Sequence, residues 1–115
     1  IFTIISAILV ALEFFYIMYL ETFATASKIT ARVFNMTQEE LEREAVNNLF
    51  KNQGVYNGLI AVLVLLAVFT QDSFWMAIFM IYIILVAAYG AMTSDLKILF
   101  KQGGLAILTL ISLFF

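Results

Sequence analysis

This chain has no cysteine, no histidine and no proline, and only 12% of its residues carry charge. Without thiols or imidazoles it can build no disulfide, no Cys/His zinc site, no His-ligated haem and no Ser-His-Asp triad. Without proline, no ring kinks its helices. A net charge of -2 points to no partner, and there is no basic patch to hold nucleic acid. No cofactor or metal is expected. What remains in abundance is apolar sequence: 64% of the 115 residues are hydrophobic, and the mean hydropathy is +1.05. A soluble domain is nearer half apolar and a quarter charged. The length predicts one domain, residues 1–115.

Four apolar runs stand out, at about 1–26, 51–70, 73–92 and 98–115. Each approaches the ~20 residues that cross a hydrocarbon core. The predicted fold class is therefore an all-α membrane protein, a bundle of four transmembrane helices. Ala24-Thr25-Ala26 resembles a signal-peptidase site, but the run before it is too long and holds Glu13. Between the first two runs, Thr37-Gln38-Glu39-Glu40 has the capping-box pattern. Leu41, Ala45, Val46 and Leu49 follow at helical spacing, with Glu39 and Arg43 placed to pair. This predicts an amphipathic cytoplasmic helix over about 37–50, either a lid on the bundle or a solvated connector.

The six Lys and Arg residues set the orientation. Lys28, Arg32, Arg43 and Lys51 lie between runs one and two, and Lys97 and Lys101 between runs three and four. The link Gln71-Asp72-Ser73 has none. By the positive-inside rule, loops 27–51 and 93–97 are cytoplasmic and both termini are outside. A link so short makes spans two and three an antiparallel hairpin.

Glu13 lies in the middle of the first run. A carboxylate at bilayer depth costs several kcal/mol unless it is paired, protonated or wet. Glu21 follows roughly 12 Å further along the helix and about 80° round, with Tyr16 on the same broad face. Asn52, Gln53, Tyr56 and Asn57 begin the second span within an arc of about 140°. Tyr89 and Asp95 close the third span, and Lys101 and Gln102 open the fourth. Under the predicted topology all of these fall in the cytoplasmic half. The other half reads as Ile, Leu, Val, Phe and Ala, with no polar path. Polar groups in lipid need partners or water, so a shared pocket open to the cytoplasm is expected. Its candidate ligand or proton sites are Glu13, Tyr16, Glu21, Asn52, Gln53, Tyr56, Asn57, Tyr82 and Gln102.

Simpler roles compete for the same residues. Glu13 can be a structural carboxylate bonded to Asn57, Gln53 or a Tyr, and Glu21 an interfacial residue or partner of Lys28. Asn52, Gln53 and Asn57 can satisfy the loop backbone. Gly54 and Gly58, four apart, fit a close helix contact. Trp75 and Tyr89 fit interfacial anchors, while Tyr82 is too deep for that and needs a partner. Gly103-Gly104 is too weak a signal for a phosphate loop.

Two stretches carry a resemblance: Ala11-Leu12-Glu13-Phe14-Phe15-Tyr16-Ile17-Met18-Tyr19-Leu20-Glu21 and Asn52-Gln53-Gly54-Val55-Tyr56-Asn57-Gly58. With Gln102-Gly103-Gly104 they resemble a family of small bacterial and fungal integral-membrane proteins, domain of unknown function family 1304. The resemblance spans essentially the whole chain. It implies the four-span layout and the site location, and no activity. Phe14 stands where a His commonly follows the first Glu, so no imidazole proton transfer carries over. Leu105 stands where the family often has a small residue or Pro.

Three functions are compatible with these residues. One is binding or proton-coupled transport of a lipid-like or cationic small molecule, for which so small a pump needs a homo-oligomer. Another is a membrane-embedded enzyme acting on a lipid, quinone or isoprenoid, with Glu13 or Glu21 as acid or base, Tyr16 or Tyr56 as electrophile and Asn57 as orienter. The last is a structural subunit whose polar cluster specifies packing. Since a one-sided polar cluster argues against a simple channel, a cytoplasm-facing ligand site is favoured.

Overall fold

Long apolar runs without proline leave the backbone one way to satisfy its own N–H and C=O groups in an apolar medium, the helix. The computed structural model of the chain describes residues 1–93 and 97–115; of residues 97–99 it describes the backbone and not the side chains. Every regular element among the described residues is helical: α1 (Phe2–Met18), a π-turn (Tyr19–Phe23), α2 (Lys28–Val33), α3 (Gln38–Glu42), α4 (Glu44–Thr70), α5 (Ser73–Thr93) and α6 (Lys97–Ser112). The expected loop over 93–97, with Asp95, lies outside the described residues except for its two ends.

Three stretches are long and apolar enough to cross a membrane: Phe2–Phe23, Glu44–Thr70 and Ser73–Thr93. The fourth expected span is represented by α6, whose 16 residues extend roughly 24 Å. The expected helix over 37–50 is divided. The capping box forms, with Thr37 Oγ1 accepting from the Glu40 backbone and the Glu40 carboxylate accepting from the Thr37 N–H. Arg43 then turns extended at φ -60, ψ 134, ends α3, and leaves 44–50 to begin the long α4. The Glu39–Arg43 helical pairing is lost with that turn. The Arg43 charge acts on Glu40 instead, whose carboxyl is held below the ordinary range chiefly by the Thr37 N–H, then by the Thr37 hydroxyl.

By internal packing the chain divides into two units, residues 1–13 with 62–115, and residues 14–61. In the first, α5 packs on α6, and the buried side chains include Ala7, Val10, Val64, Met80, Ile83 and Ala106. The link between α4 and α5 ends α4 in a Schellman arrangement. Asp72 N–H reaches Ala67 C=O at 3.1 Å, Gln71 N–H reaches Val68 C=O at 3.2 Å, and Gln71 is left-handed at φ 56. The Asp72 carboxylate accepts from Trp75 N–H at 3.1 Å and starts α5, so the chain reverses within two residues.

In the second unit, Leu20 and Leu41 are buried. Burying a leucine like Leu41 contributes about 2 kcal/mol and fixes the short α3. Gln38 Nε2 donates to Ala26 C=O at 3.0 Å, and Asn47 Nδ2 to Leu41 C=O at 3.1 Å, which closes the connection on both sides. Asn35, left-handed at φ 55, ends α2 with the same carbonyl pattern that Gln71 makes.

Candidate functional site

The site begins with a defect in a helix. After Met18 the backbone widens into a π-turn, and Ala24 N–H bonds to Tyr19 C=O at 2.9 Å. A π-turn inserts one residue into the helical ladder and re-aims the side chains around it. It also leaves carbonyls to be satisfied elsewhere, and nearby threonines do this. Thr25 Oγ1 donates to Glu21 C=O at 2.6 Å, and Thr30 Oγ1 lies 3.1 Å from Leu20 C=O and 2.7 Å from Ala24 C=O. Thr22 Oγ1 donates to Lys51 C=O at 3.1 Å, joining the turn to α4.

Glu21 sits inside this turn and is 1% exposed. Asn57 Nδ2 donates to its Oε1 at 2.5 Å. Its Oε2 is buried with no hydrogen-bond partner among the described residues. Two glycines of α4 make the approach close. A Cβ on Gly54 would collide with Thr22 Oγ1 and come within 3.1 Å of Glu21 Cβ. A Cβ on Gly58 would collide with Met18 Sδ and lie 3.2 Å from its Cγ. The close helix contact expected of Gly54 and Gly58 is therefore present, and it carries Asn57 to the carboxylate.

The other expected site residues are distributed differently. Asn52, Gln53 and Tyr56 are exposed on α4, and Tyr56 retains 74% of its surface. Tyr16 and Tyr82 are both about half exposed, at 52% and 54%. Tyr82 is thus exposed on α5. Glu13 is half-buried, with Oε1 buried and unpartnered among the described residues. Gln102 is half-buried on α6. Within the second unit, then, the structure joins Glu21 to Asn57 and turns Tyr16, Asn52, Gln53 and Tyr56 outward. No group of three or more metal-ligating side chains occurs among the described residues.

The first unit holds polar residues that sequence reasoning missed. Thr3 and Ser112 hydroxyls lie 2.6 Å apart, and Thr109 Oγ1 donates to Ser6 Oγ at 2.8 Å. Ser6 and Thr109 are both buried, at 4% and 0% exposure. The half expected to be nearly all apolar therefore contains paired hydroxyls between α1 and α6. A cleft of about 560 Å³ opens beside them, lined by Thr3, Gln71, Asp72, Ser73 and Ser112 together with apolar side chains. The available signal was spacing: Thr3/Ser6 and Thr109/Ser112 each stand three apart, one helical face apiece. Thr22, Thr25 and Thr30 were missed as well, because a π-turn has no marker in the apolar pattern.

This chain is 62% identical over 117 residues to the uncharacterized protein YpaA of Lactococcus lactis subsp. lactis (strain IL1403), an alignment covering 100% of this chain and 98% of that one. No solved structure matches it. A family described as "Protein of unknown function (DUF1304)" matches residues 8–114, a span that includes Glu13, Glu21, the glycine pair and Asn57. The chain belongs to that family.

Proposed function

We propose that this is a four-span membrane protein that binds a small amphiphilic, lipid-like ligand in its cytoplasmic half, with Glu21 and Asn57 as the polar anchor. The observation that carries this reading is the unfinished carboxylate. Glu21 is 1% exposed, one oxygen accepts from Asn57, and the other is buried without a partner among the described residues. A carboxylate that only glued helices together would have both oxygens satisfied, since an orphaned buried acceptor costs about 1–3 kcal/mol. Either a proton or a donor from a ligand completes it, and exchange of one for the other is how proton-coupled binding works.

The topology is part of the proposal. α6 makes the fourth crossing, the six cationic residues face the cytoplasm, and both termini and the link at Asp72 lie outside. The α3 segment then sits on the cytoplasmic side, close in sequence to the π-turn it follows. An aliphatic tail suits the apolar surroundings and a donor-bearing head group suits Glu21.

The test is thermal stabilisation of detergent-solubilised protein by phospholipids, quinones and quaternary-ammonium amphiphiles. One class should raise the melting temperature of the parent, and Glu21→Gln should lose that rise while keeping its fold. If Glu21→Gln responds like the parent, Glu21 is not the anchor. If Glu21→Gln keeps the parent's ligand response and only Glu21→Leu destabilises, the carboxylate is structural.

A further inference from the structure

Glu13 is half-buried, with one oxygen buried and unpartnered among the described residues, and the Glu21–Asn57 pair does not use it. Its own unit contains a polar stripe. On α1, Thr3, Ser6 and Glu13 fall at spacings of three and seven, which keeps them on one helical face. On α6, Ser112 meets Thr3 and Thr109 meets Ser6. These two pairings set an antiparallel register, and three residues back on α1 match three forward on α6 at each step. Continued inward, the same register brings Gln102 level with Glu13. At the other end the stripe runs into the cleft lined by Thr3, Ser112, Gln71, Asp72 and Ser73.

We propose that Glu13 exchanges its proton with water at the α4–α5 end of the molecule, along the stripe that Thr3 and Ser6 form with Ser112 and Thr109. The chemistry at both ends supports this. The buried Oε1 of Glu13 has no partner among the described residues, so a proton or water must complete it. The cleft is lined in part by polar side chains and is roomy enough for several waters. Hydroxyls both donate and accept, so they can hand a proton on where a carbonyl cannot. The two hydroxyl pairs are bridged through backbone: Ser6 Oγ also donates to Thr3 C=O and Ser112 Oγ to Thr109 C=O. Water therefore has to complete the route, including the roughly 10 Å from Ser6 to Glu13 past the buried Val10. Exchange is accordingly gated and occurs when water enters.

Few groups compete for the proton. The α4 segment from Val62 to Thr70 has no titratable side chain. On α5, Tyr82 and Tyr89 are exposed, and on α6 Lys101 is exposed. Asp72 stands at the cleft mouth, capping α5. The Lys97 side chain lies outside the described residues.

The absence of cysteine permits a sided experiment. Vesicles carrying Ser73→Cys protein are captured on an impermeant thiol resin, which selects molecules with the α4–α5 end outward. Dicyclohexylcarbodiimide then labels protonated carboxyls; the acid adds across the C=N bond and rearranges to an N-acylurea with nothing lost. Mass spectrometry reads the Glu13 peptide, with Glu13→Gln as the specificity control. Glu13 labelling should fall several-fold when the external pH is raised from acidic to alkaline, and stay constant when only the internal pH is raised. Ser6→Ala with Thr109→Val, which removes both partners together, should slow that response while retaining the melting temperature. Labelling that follows the internal pH, or neither pH, overturns the proposal. A double variant that responds as fast as the parent also overturns it and leaves the hydroxyls a packing role. If the double variant loses its melting transition, Thr109→Ser, which keeps a hydroxyl, must restore both fold and response for the proposal to stand. The assay contains no ligand, so its result is independent of the Glu21 reading.

Discussion

The two units bury polar groups in different ways. In residues 1–13 with 62–115, neutral hydroxyls meet neutral hydroxyls: Thr3 with Ser112 and Thr109 with Ser6. Ser6, Thr109 and Ser112 each also reach a backbone carbonyl, and Thr3 has Ser112. In residues 14–61, an acid meets an amide. Asn57 satisfies one oxygen of Glu21 and the other has nothing. A neutral hydroxyl pair is self-sufficient in an apolar medium, whereas a carboxyl with one orphaned oxygen still needs a proton or a donor. The contrast is between hydroxyl pairs that complete one another as folded and a carboxyl that does not; Glu13, in the first unit, shares that deficit with Glu21.

The largest effect should come from the glycines that bring Asn57 to Glu21. Gly54→Val places side-chain atoms on Thr22 and Glu21 and should destabilise by about 3 kcal/mol, with Gly58→Leu similar through Met18. Thermal unfolding in detergent measures both. A Gly54→Val protein that melts with the parent would mean the two helices do not approach as closely as described. By contrast Gly104, where a Cβ would meet nothing within 4 Å, should accept alanine with little change.

Next come the two kinds of polar contact. Glu21→Leu strands the Asn57 amide and should cost about 1–3 kcal/mol, while Glu21→Gln retains an acceptor for it and should cost much less. Adding Asn57→Leu to Glu21→Leu should recover part of the loss, since removing both partners leaves nothing unpaired. Thr109→Val should cost only about 0.6 kcal/mol, a typical value for a hydrogen bond between membrane helices. Equal costs for Glu21→Leu and Thr109→Val, measured in one unfolding series, would erase the distinction between the units.

The smallest effect concerns α3. Glu40 accepts from the Thr37 N–H and hydroxyl, and its carboxyl is held below the ordinary range. The sign follows: the contribution is present above the unfolded carboxyl value and is lost as pH falls through the lower folded value. The protection of residues 38–42 against hydrogen exchange, taken against each amide's intrinsic rate at the same pH, should therefore fall at acidic pH in the parent, and Glu40→Gln should flatten that dependence. Equal pH dependence in the two proteins would remove Glu40 from the capping box as its titrating member.

Much of the fold was legible because apolar length and helical period are local properties. The apolar runs near 51–70 and 73–92 fall on the C-terminal twenty residues of α4 and nearly all of α5, and Thr37 and Glu40 announced their own cap. The division at Arg43 was not legible. Leu41 before it and Ala45, Val46 and Leu49 after it keep one helical period, and a single extended residue leaves no mark in that pattern. The same holds for the π-turn, where Tyr19–Phe23 reads as ordinary helix.

The sequence alone determined that this chain is helical, strongly apolar and without the thiol or imidazole that Cys- and His-based chemistry needs. It also determined which carboxylates would be costly, because burial cost depends on the residue and its apolar neighbours along the chain. Only the tertiary structure decided which polar groups meet. Asn57 faces Glu21 while Tyr56, its neighbour in sequence, is exposed, and Thr109 reaches Ser6 from 103 residues away. Helical phase places a side chain on a face, but an inserted residue at the π-turn and two absent Cβ atoms set which face meets which. These are distances between segments remote in sequence, and no local pattern encodes them.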